Sequence, residues 1–453
     1  MDNSLIQKYN VPGPRYTSYP TVPYWDEENF TLKKWKSSLL HSFNESNCQG
    51  ISLYIHLPFC ESMCTFCGCN KRITKRHDVE KTYINAILKE WAIYRGILPV
   101  RPRIKELHLG GGTPTFFSAE NLELLIKGIF ELADVAPGYE FGFEGHPNNT
   151  TREHLQTLYN LGFRRVSFGV QDYSPEVQKA INRIQPFQNV AKVTLWAREA
   201  GFTSISHDLV FGLPFQSLEN MADTIEKTRS LTPDRISFYS YAHVPWIKGS
   251  GQRGFDENNL PKDEEKRKLY EAGKTILAEK GYHEIGMDHF ALENDTMYRA
   301  YREGKLHRNF MGYTATKTQL MIGLGVSSIS DSWYSFAQNE KNLEDYYKRL
   351  DNNELPVFRG HMLDEEDLVI RKHILNLMCR FETSWAESGS FFPTLPDVLD
   401  SLQEMAQDGL IEINRHSVYV TEKGHPFVRN ICMAFDMRMK RKTPENKLFS
   451  MTI

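Results

Sequence analysis

Four of the chain's seven cysteines crowd into ten residues, Cys60-Glu61-Ser62-Met63-Cys64-Thr65-Phe66-Cys67-Gly68-Cys69. The first three are spaced C-x3-C-x2-C, one residue longer in the first gap than the paired C-x2-C knuckles of structural zinc. Three thiolates on one short loop suit three corners of a cuboidal 4Fe–4S cluster, which leaves the fourth iron open to a non-cysteine ligand. An open iron can bind a small-molecule cofactor and pass it an electron. A zinc loop and reduced structural thiols are the plainer alternatives.

Other residues carry weaker signals of the same kind. Gly110-Gly111-Gly112-Thr113-Pro114 lets backbone groups approach a ligand without Cβ atoms in the way. It lacks the lysine of a phosphate loop and does not match the dinucleotide fingerprint, so a simple tight turn is an equal reading. Glu144, in Phe143-Glu144-Gly145-His146-Pro147, is suited to accept hydrogen bonds from a ribose diol. Gln171 and Asp208 can do the same or hold polar ends, and Arg183 can meet a ligand carboxylate in a forked geometry. Tyr54 and His56 share one strand face with Ser52, while Phe66 either covers a flat ligand or shields the cluster. Taken singly, each polar residue is better explained by a salt bridge or a strand-end hydrogen bond; their shared rim position shifts the balance.

These side chains need a scaffold that brings them together. From about residue 50 to 242, short apolar strands alternate with amphipathic helical stretches. Strands are expected at 51–57, 104–109, 139–144, 164–170, 203–211 and 234–241. Between the first two, Tyr83, Ile84, Ile87, Leu88 and Trp91 recur at helical spacing. Ser118, a Thr150/Glu153 capping box and Pro175 after Ser174 mark further helix starts. Six β–α units imply an α/β fold with a parallel sheet and right-handed crossovers, either an open barrel or a doubly wound sheet. In both, ligands gather at the C-terminal strand ends, where the cysteine loop, the glycine turn, Glu144, Gln171 and Asp208 all fall.

Four regions follow: an extended, Pro- and aromatic-rich N-terminal arm (1–45), the β–α core (46–245), a loop-rich extension flanking the site (246–360) and a mainly helical C-terminal domain (361–453). The last carries a winged-helix-like run of helix, Gly409, strand 410–414 and strand 417–421. A net charge of −3 argues against a general electrostatic grip on nucleic acid. No apolar run is long enough to span a bilayer, and the N-terminus lacks a signal pattern. The crowded thiols do not look like a secreted disulfide framework, so a reducing cytoplasm is expected.

The cysteine loop after a short strand, followed by Gly110–Pro114, resembles the radical S-adenosylmethionine enzymes. Within them, Cys67-Gly68-Cys69-Asn70 and the arm segment Gly13-Pro14-Arg15-Tyr16-Thr17-Ser18-Tyr19-Pro20 resemble the oxygen-independent coproporphyrinogen III oxidases (dehydrogenases). So do Gly286–Phe290, Leu306–Phe310 and Arg429–Met433, which makes the resemblance nearly end to end. It implies an open (β/α)6 partial TIM-type barrel, one 4Fe–4S cluster and two S-adenosylmethionine sites. It also implies the anaerobic oxidative decarboxylation of two propionates of coproporphyrinogen III to vinyl groups, giving protoporphyrinogen IX in heme biosynthesis. A 5′-deoxyadenosyl radical would take a hydrogen from each propionate β-carbon.

Carried over by position, Cys60, Cys64 and Cys67 would ligate the cluster, and Tyr54, Gly111 and Glu144 would contact the S-adenosylmethionine on it. Phe66, Gly112, Thr113, Gln171, Arg183, Asp208, Ala242 and Ile329 would line the second site. Cys69 would serve catalysis near the reacting groups without binding iron, and Arg15 and Arg308 would meet substrate propionates. His146 departs from the family, which usually has a small acidic or amide residue there. The expected partners are coproporphyrinogen III, a cellular electron donor and an electron acceptor, with no nucleic acid or membrane span and a monomeric chain. The alternative is a related heme-chaperone family, which typically lacks the arm and the cysteine at the position of Cys69. A zinc-dependent winged-helix regulator is a third reading.

Overall fold

The computed structural model describes residues 3–246, 251–252, 254–387, 389–442 and 448–452. Six strands lie side by side in chain order: β1 (Ile51–Leu57), β2 (Arg103–Gly111), β3 (Asp134–Gly145), β4 (Arg165–Gln171), β5 (Ser204–Phe211) and β6 (Arg235–Ser240). All five pairings are parallel, with Leu53 opposite Leu107, Leu107 opposite Phe141 and Val166 opposite Ile205. The two-residue period sends Leu53, Ile55 and Leu57 into one apolar core with Ile84, Ile87 and Trp91 of helix Val79–Ile97. Each such fully buried side chain contributes roughly 1.5–3 kcal/mol. Ser52, Tyr54 and His56 are thereby turned to the opposite, inner face.

Ser118 caps its helix by accepting from the Asn121 amide, and Pro175 opens its helix as the sequence suggests. The third start lies one residue later than Thr150. Thr151 is the cap and exchanges bonds with His154, because the Thr150 hydroxyl is already bound to the His146 carbonyl at 2.9 Å.

The sheet extends beyond β1 through Met321–Leu324, parallel to it, then antiparallel Ile329–Asp331, Ser335–Asn339 and Val357–Met362. Beyond β6 come antiparallel His289–Ala291 and His283–Ile285. The order is linear and does not close, as in an open barrel. A hairpin (His307–Asn309, Gly312–Thr314) crosses the inner face, where the Thr314 hydroxyl donates to Glu106 at 2.8 Å.

Two regions differ from the sequence reading. The arm 1–45 begins and ends in helices, Asn3–Tyr9 and Leu32–Ser46, the second burying Trp35, Leu39 and Phe43. Its middle threads through other elements: Tyr16 and Tyr19 enter the C-terminal core, and Trp25 stacks on Phe336 at 5.5 Å. The extension 246–360 carries helix Asp263–Glu279 and most of the added strands, whose lengths of three to six residues read as loop in isolation. The C-terminal region runs helix (Glu365–Arg380), strand, helix (Leu395–Gln407) and hairpin, with the three short strands forming one sheet. Among the described residues no helix is long and apolar enough to cross a membrane.

Candidate active site

Parallel pairing puts the carboxyl ends of β1–β6 at one rim, and the cysteine loop leaves β1 there. The loop is fastened on two sides. Phe59–Cys60 pairs in parallel with Arg72–Ile73, while Thr65 donates its amide to Ile181 and its hydroxyl to Ala180 at 3.0 Å each. Asn182 donates to the Met63 carbonyl at 2.8 Å. From below, the Tyr54 hydroxyl reaches His56 Nδ1 at 3.0 Å, and His56 Nε2 reaches the Asn70 carbonyl at 2.9 Å. A carbonyl only accepts, so Nε2 carries the proton and Nδ1 accepts from Tyr54. His56 thus tethers the loop, and burial holds its pKa below the usual value.

The glycine turn closes the next wall. Gly111 has φ +117°, and a Cβ there would lie 2.8 Å from His56 Nδ1. A Cβ on Gly112 would strike the Pro58 carbonyl oxygen at 2.5 Å. The turn must therefore be side-chain-free to sit against the start of the cysteine loop. Thr113 Oγ1 lies 3.3 Å from Cys60 Sγ.

Between these walls is a cavity of about 490 Å³. Cys60, Cys64, Cys67 and Cys69 line it with Phe66, Gly111, Gly112, Thr113, Glu144, Gln171, Arg183 and Asp208. Twelve sequence-predicted residues, on or just after five of the core strands, thus meet in one place. Three predicted cofactor-site residues and the two predicted propionate contacts are not in its lining. Tyr54 lies just beneath, since a Cβ on Gly110 would fall 3.0 Å from its ring and 2.9 Å from Glu144 Oε1. Ala242 joins through Gln252, which donates to the Ala242 and Phe66 carbonyls at 2.9 and 3.2 Å. Ile329 opens its strand with its carbonyl packed against Gly323. Arg15 is engaged by Asp288 and the Ser240 carbonyl, and Arg308 by the Tyr16 and Arg15 carbonyls.

All four loop thiols are free. Burial pushes Cys60 up to about 11. Cys67 is held below the ordinary thiol range by a hydrogen bond from Cys69 and, against burial, by the charges of Lys71 and Arg183; the same bond raises Cys69. Arg183 Nη1 points at Cys64 Sγ from 3.7 Å, Nη2 donates to the Gly169 carbonyl at 2.5 Å, and Nε is buried without a partner. The donor set fits an iron–sulfur cluster: three soft thiols on one loop, two cations to offset thiolate charge, and space beside them. Glu144 meets His108 at 3.3 Å, and Asp208, which accepts from Ser167 at 2.8 Å, is pushed up to about 6 by burial. Glu144, Ser167 and Asp208 also line a smaller cavity of about 70 Å³ on the inner face, so they form the floor between the two.

Lys71 and Asn182 also line the site but did not stand out from the sequence as ligand-facing groups, and His146, singled out there as a departure from the family, lines it too. Lys71, two residues beyond Cys69, donates to the Cys67 and Cys69 carbonyls at 3.1 and 3.4 Å; its place beside the cysteine loop was a usable signal. Asn182 has none, because its role depends on the segment after β4 folding back.

The Radical SAM superfamily pattern matches residues 54–228. The chain is 38% identical over 446 residues to the oxygen-independent coproporphyrinogen III oxidase of Helicobacter pylori strain J99, covering 97% of both chains. It is 37% identical to the enzyme of that name from Escherichia coli K12, covering 97% of this chain and 96% of that one. The solved structure of coproporphyrinogen III oxidase (HemN) from Escherichia coli, described as a radical SAM enzyme, superposes with a TM-score of 0.89 at 35% identity. That match covers 96% of this chain and 98% of the other.

Proposed function

Because the chain belongs to the oxygen-independent coproporphyrinogen III oxidases of the radical S-adenosylmethionine superfamily, we propose that its rim cavity converts two propionates of coproporphyrinogen III to vinyl groups. The product is protoporphyrinogen IX, and the place is heme biosynthesis. Each propionate loses one hydrogen atom, CO2 and one electron. When bound, a 4Fe–4S cluster and S-adenosylmethionine supply the electron and the hydrogen-abstracting chemistry.

The observation that carries this reading is the set of free thiols Cys60, Cys64 and Cys67 on one loop beside a cavity of about 490 Å³. In this reading those thiols hold three irons, and Arg183 and Lys71 offset their charge. Tyr54, Gly111 and Glu144 position the S-adenosylmethionine on the cluster. Phe66, Gly112, Thr113, Gln171, Arg183 and Asp208 serve a second molecule, with Ala242 held beside Phe66 through Gln252. Ile329 belongs to that site only if a bound ligand reaches past the present lining. Cys69 acts near the reacting carbon. The chain works as a monomer in a reducing cytoplasm with an electron donor and acceptor of its own.

The test is anaerobic incubation of cluster-reconstituted protein with coproporphyrinogen III, S-adenosylmethionine and dithionite. Protoporphyrinogen IX is the expected product. Tight heme binding with no product would favour the heme-chaperone reading, and a colourless protein without iron would return the zinc reading.

A further inference from the structure

We propose that the ribbon from Lys71 to Arg76, which follows the cysteine loop, is the docking surface for an acidic one-electron carrier protein. The proposal rests on the reading of Cys60, Cys64 and Cys67 as cluster ligands. The carrier gives up one electron and is itself oxidised by one, with no bond or proton exchanged.

The ribbon is tied to a ligand residue by backbone pairing. Cys60 lies opposite Ile73 in a parallel pair, Thr74 donates its amide to the Cys60 carbonyl at 2.9 Å, and Arg72 donates to the Pro58 carbonyl at 2.8 Å. Anything seated on the ribbon is therefore one strand away from Cys60. The loop's other flank is closed by Ala180, Ile181 and Asn182, which leaves the ribbon as the flank facing solvent.

Its chemistry fits an acidic, partly apolar partner. Lys71-Arg72-Ile73-Thr74-Lys75-Arg76 has four cations in six residues and no acid; Lys71 turns back to the Cys67 and Cys69 carbonyls, while Arg72, Lys75 and Arg76 are exposed, on a chain whose net charge is −3. An acidic carrier is repelled by the molecule at large and drawn to this strip, which orients the encounter as well as accelerating it. The Arg72 and Arg76 side chains are 62% and 77% exposed, and Ile73 is 41% exposed beside them. Their ion pairs are surface ones: Arg72 with Glu344 at 3.7 Å and Arg76 with Asp78 at 2.5 Å. Such pairs hold little free energy, so a partner's carboxylates can replace them. Lys75 has no ion pair among the described residues.

The test measures binding and turnover separately in the full-length protein, with an acidic flavodoxin as the probe. For R72E/K75E/R76E, calorimetry in low salt should show flavodoxin binding weakened roughly tenfold or more, with the salt dependence of the unmodified protein lost. R72Q/K75Q/R76Q should show a smaller loss in the same direction. Dithionite, which needs no docking surface, should drive both variants within about twofold of the unmodified rate. Unchanged flavodoxin affinity in the Glu variant overturns the proposal, and so does an equal loss of dithionite-driven turnover. If the unmodified protein makes no protoporphyrinogen with dithionite, the proposed function fails, while the binding comparison still decides the docking surface.

Discussion

Two arginines, half-buried Arg183 at the rim and buried Arg429 in the clasp between the chain's ends, show what separates a site from a scaffold. Arg429 donates to the carbonyls of Gly13, Pro14, Met451 and Thr452, joining the arm to the C-terminal segment. Each of its three nitrogens has a carbonyl partner, and folding alone accounts for it. Arg183 has one ordinary partner, the Gly169 carbonyl, a long contact to Cys64 Sγ and a buried Nε with none. A carboxylate pair repeats the contrast. Glu90 accepts from the Gly325 amide, Tyr346 and Asn339 at 2.6–2.8 Å, whereas Glu144 has only His108 at 3.3 Å. Arg183 Nε is a buried donor left without a partner, which costs stability, whereas the Glu144 side chain, 46% exposed, faces the open cavity.

The contrast can be broken most decisively at the cysteines. Cys64→Ala should reduce bound iron and sulfide to background while the thermal unfolding midpoint of the cluster-free protein stays put; retained iron would remove Cys64 from the ligand set. Cys69→Ala should stay brown and lose turnover. A colourless variant would make Cys69 a ligand or a necessary donor to Cys67. Next in size, Arg429→Ala should lower stability by about 3 kcal/mol, because several buried carbonyls lose their donor at roughly 1–3 kcal/mol each with partial recovery by water. Denaturant unfolding measures it, and a change under about 1 kcal/mol would show that the clasp is held by its aromatics instead. Arg183→Lys should leave stability alone and raise KM for S-adenosylmethionine about tenfold, since an ammonium cannot reproduce the fork. If Arg183→Lys destabilises as Arg429→Ala does, the distinction between the two arginines collapses.

The six core strands were readable because each is a buried apolar run bounded by a helix signal, and that periodicity is local. The site was readable for a related reason. In a parallel sheet every strand's carboxyl end faces one rim, so Cys60, Gly111, Glu144, Gln171 and Asp208 could be assembled from strand order alone. What could not be read depends on contacts distant in sequence. Strands such as Ile329–Asp331 and His289–Ala291 are three residues long and exist because a sheet edge is there to pair with. Arg15 and Arg308 looked like free cations for a tetracarboxylate, yet Asp288 and backbone carbonyls engage them. Helix Leu32–Ser46 was legible in the spacing of Trp35, Leu39 and Phe43, but the prolines before it suggested an extended arm throughout.

Glu90 offers the smallest and most specific test of the satisfied class. Burial pushes its carboxyl up to about 7 from the usual 4.5, despite three donors that favour the charged form. The folded state therefore keeps a proton on Glu90 at pH values where the unfolded chain has released it. Between about pH 4.5 and 7 the folded state binds more protons, so stability falls as pH rises through this window and the dependence flattens above it. One proton's difference sets a slope of at most about 1.4 kcal/mol per pH unit. Glu90→Gln removes that proton, so the variant's stability, measured by denaturant unfolding at pH 5, 6 and 7, should decline less steeply than that of the unmodified protein. An unaltered slope would mean that the three donors hold Glu90 ionised throughout, and that a carboxylate this deeply buried can be satisfied without a proton.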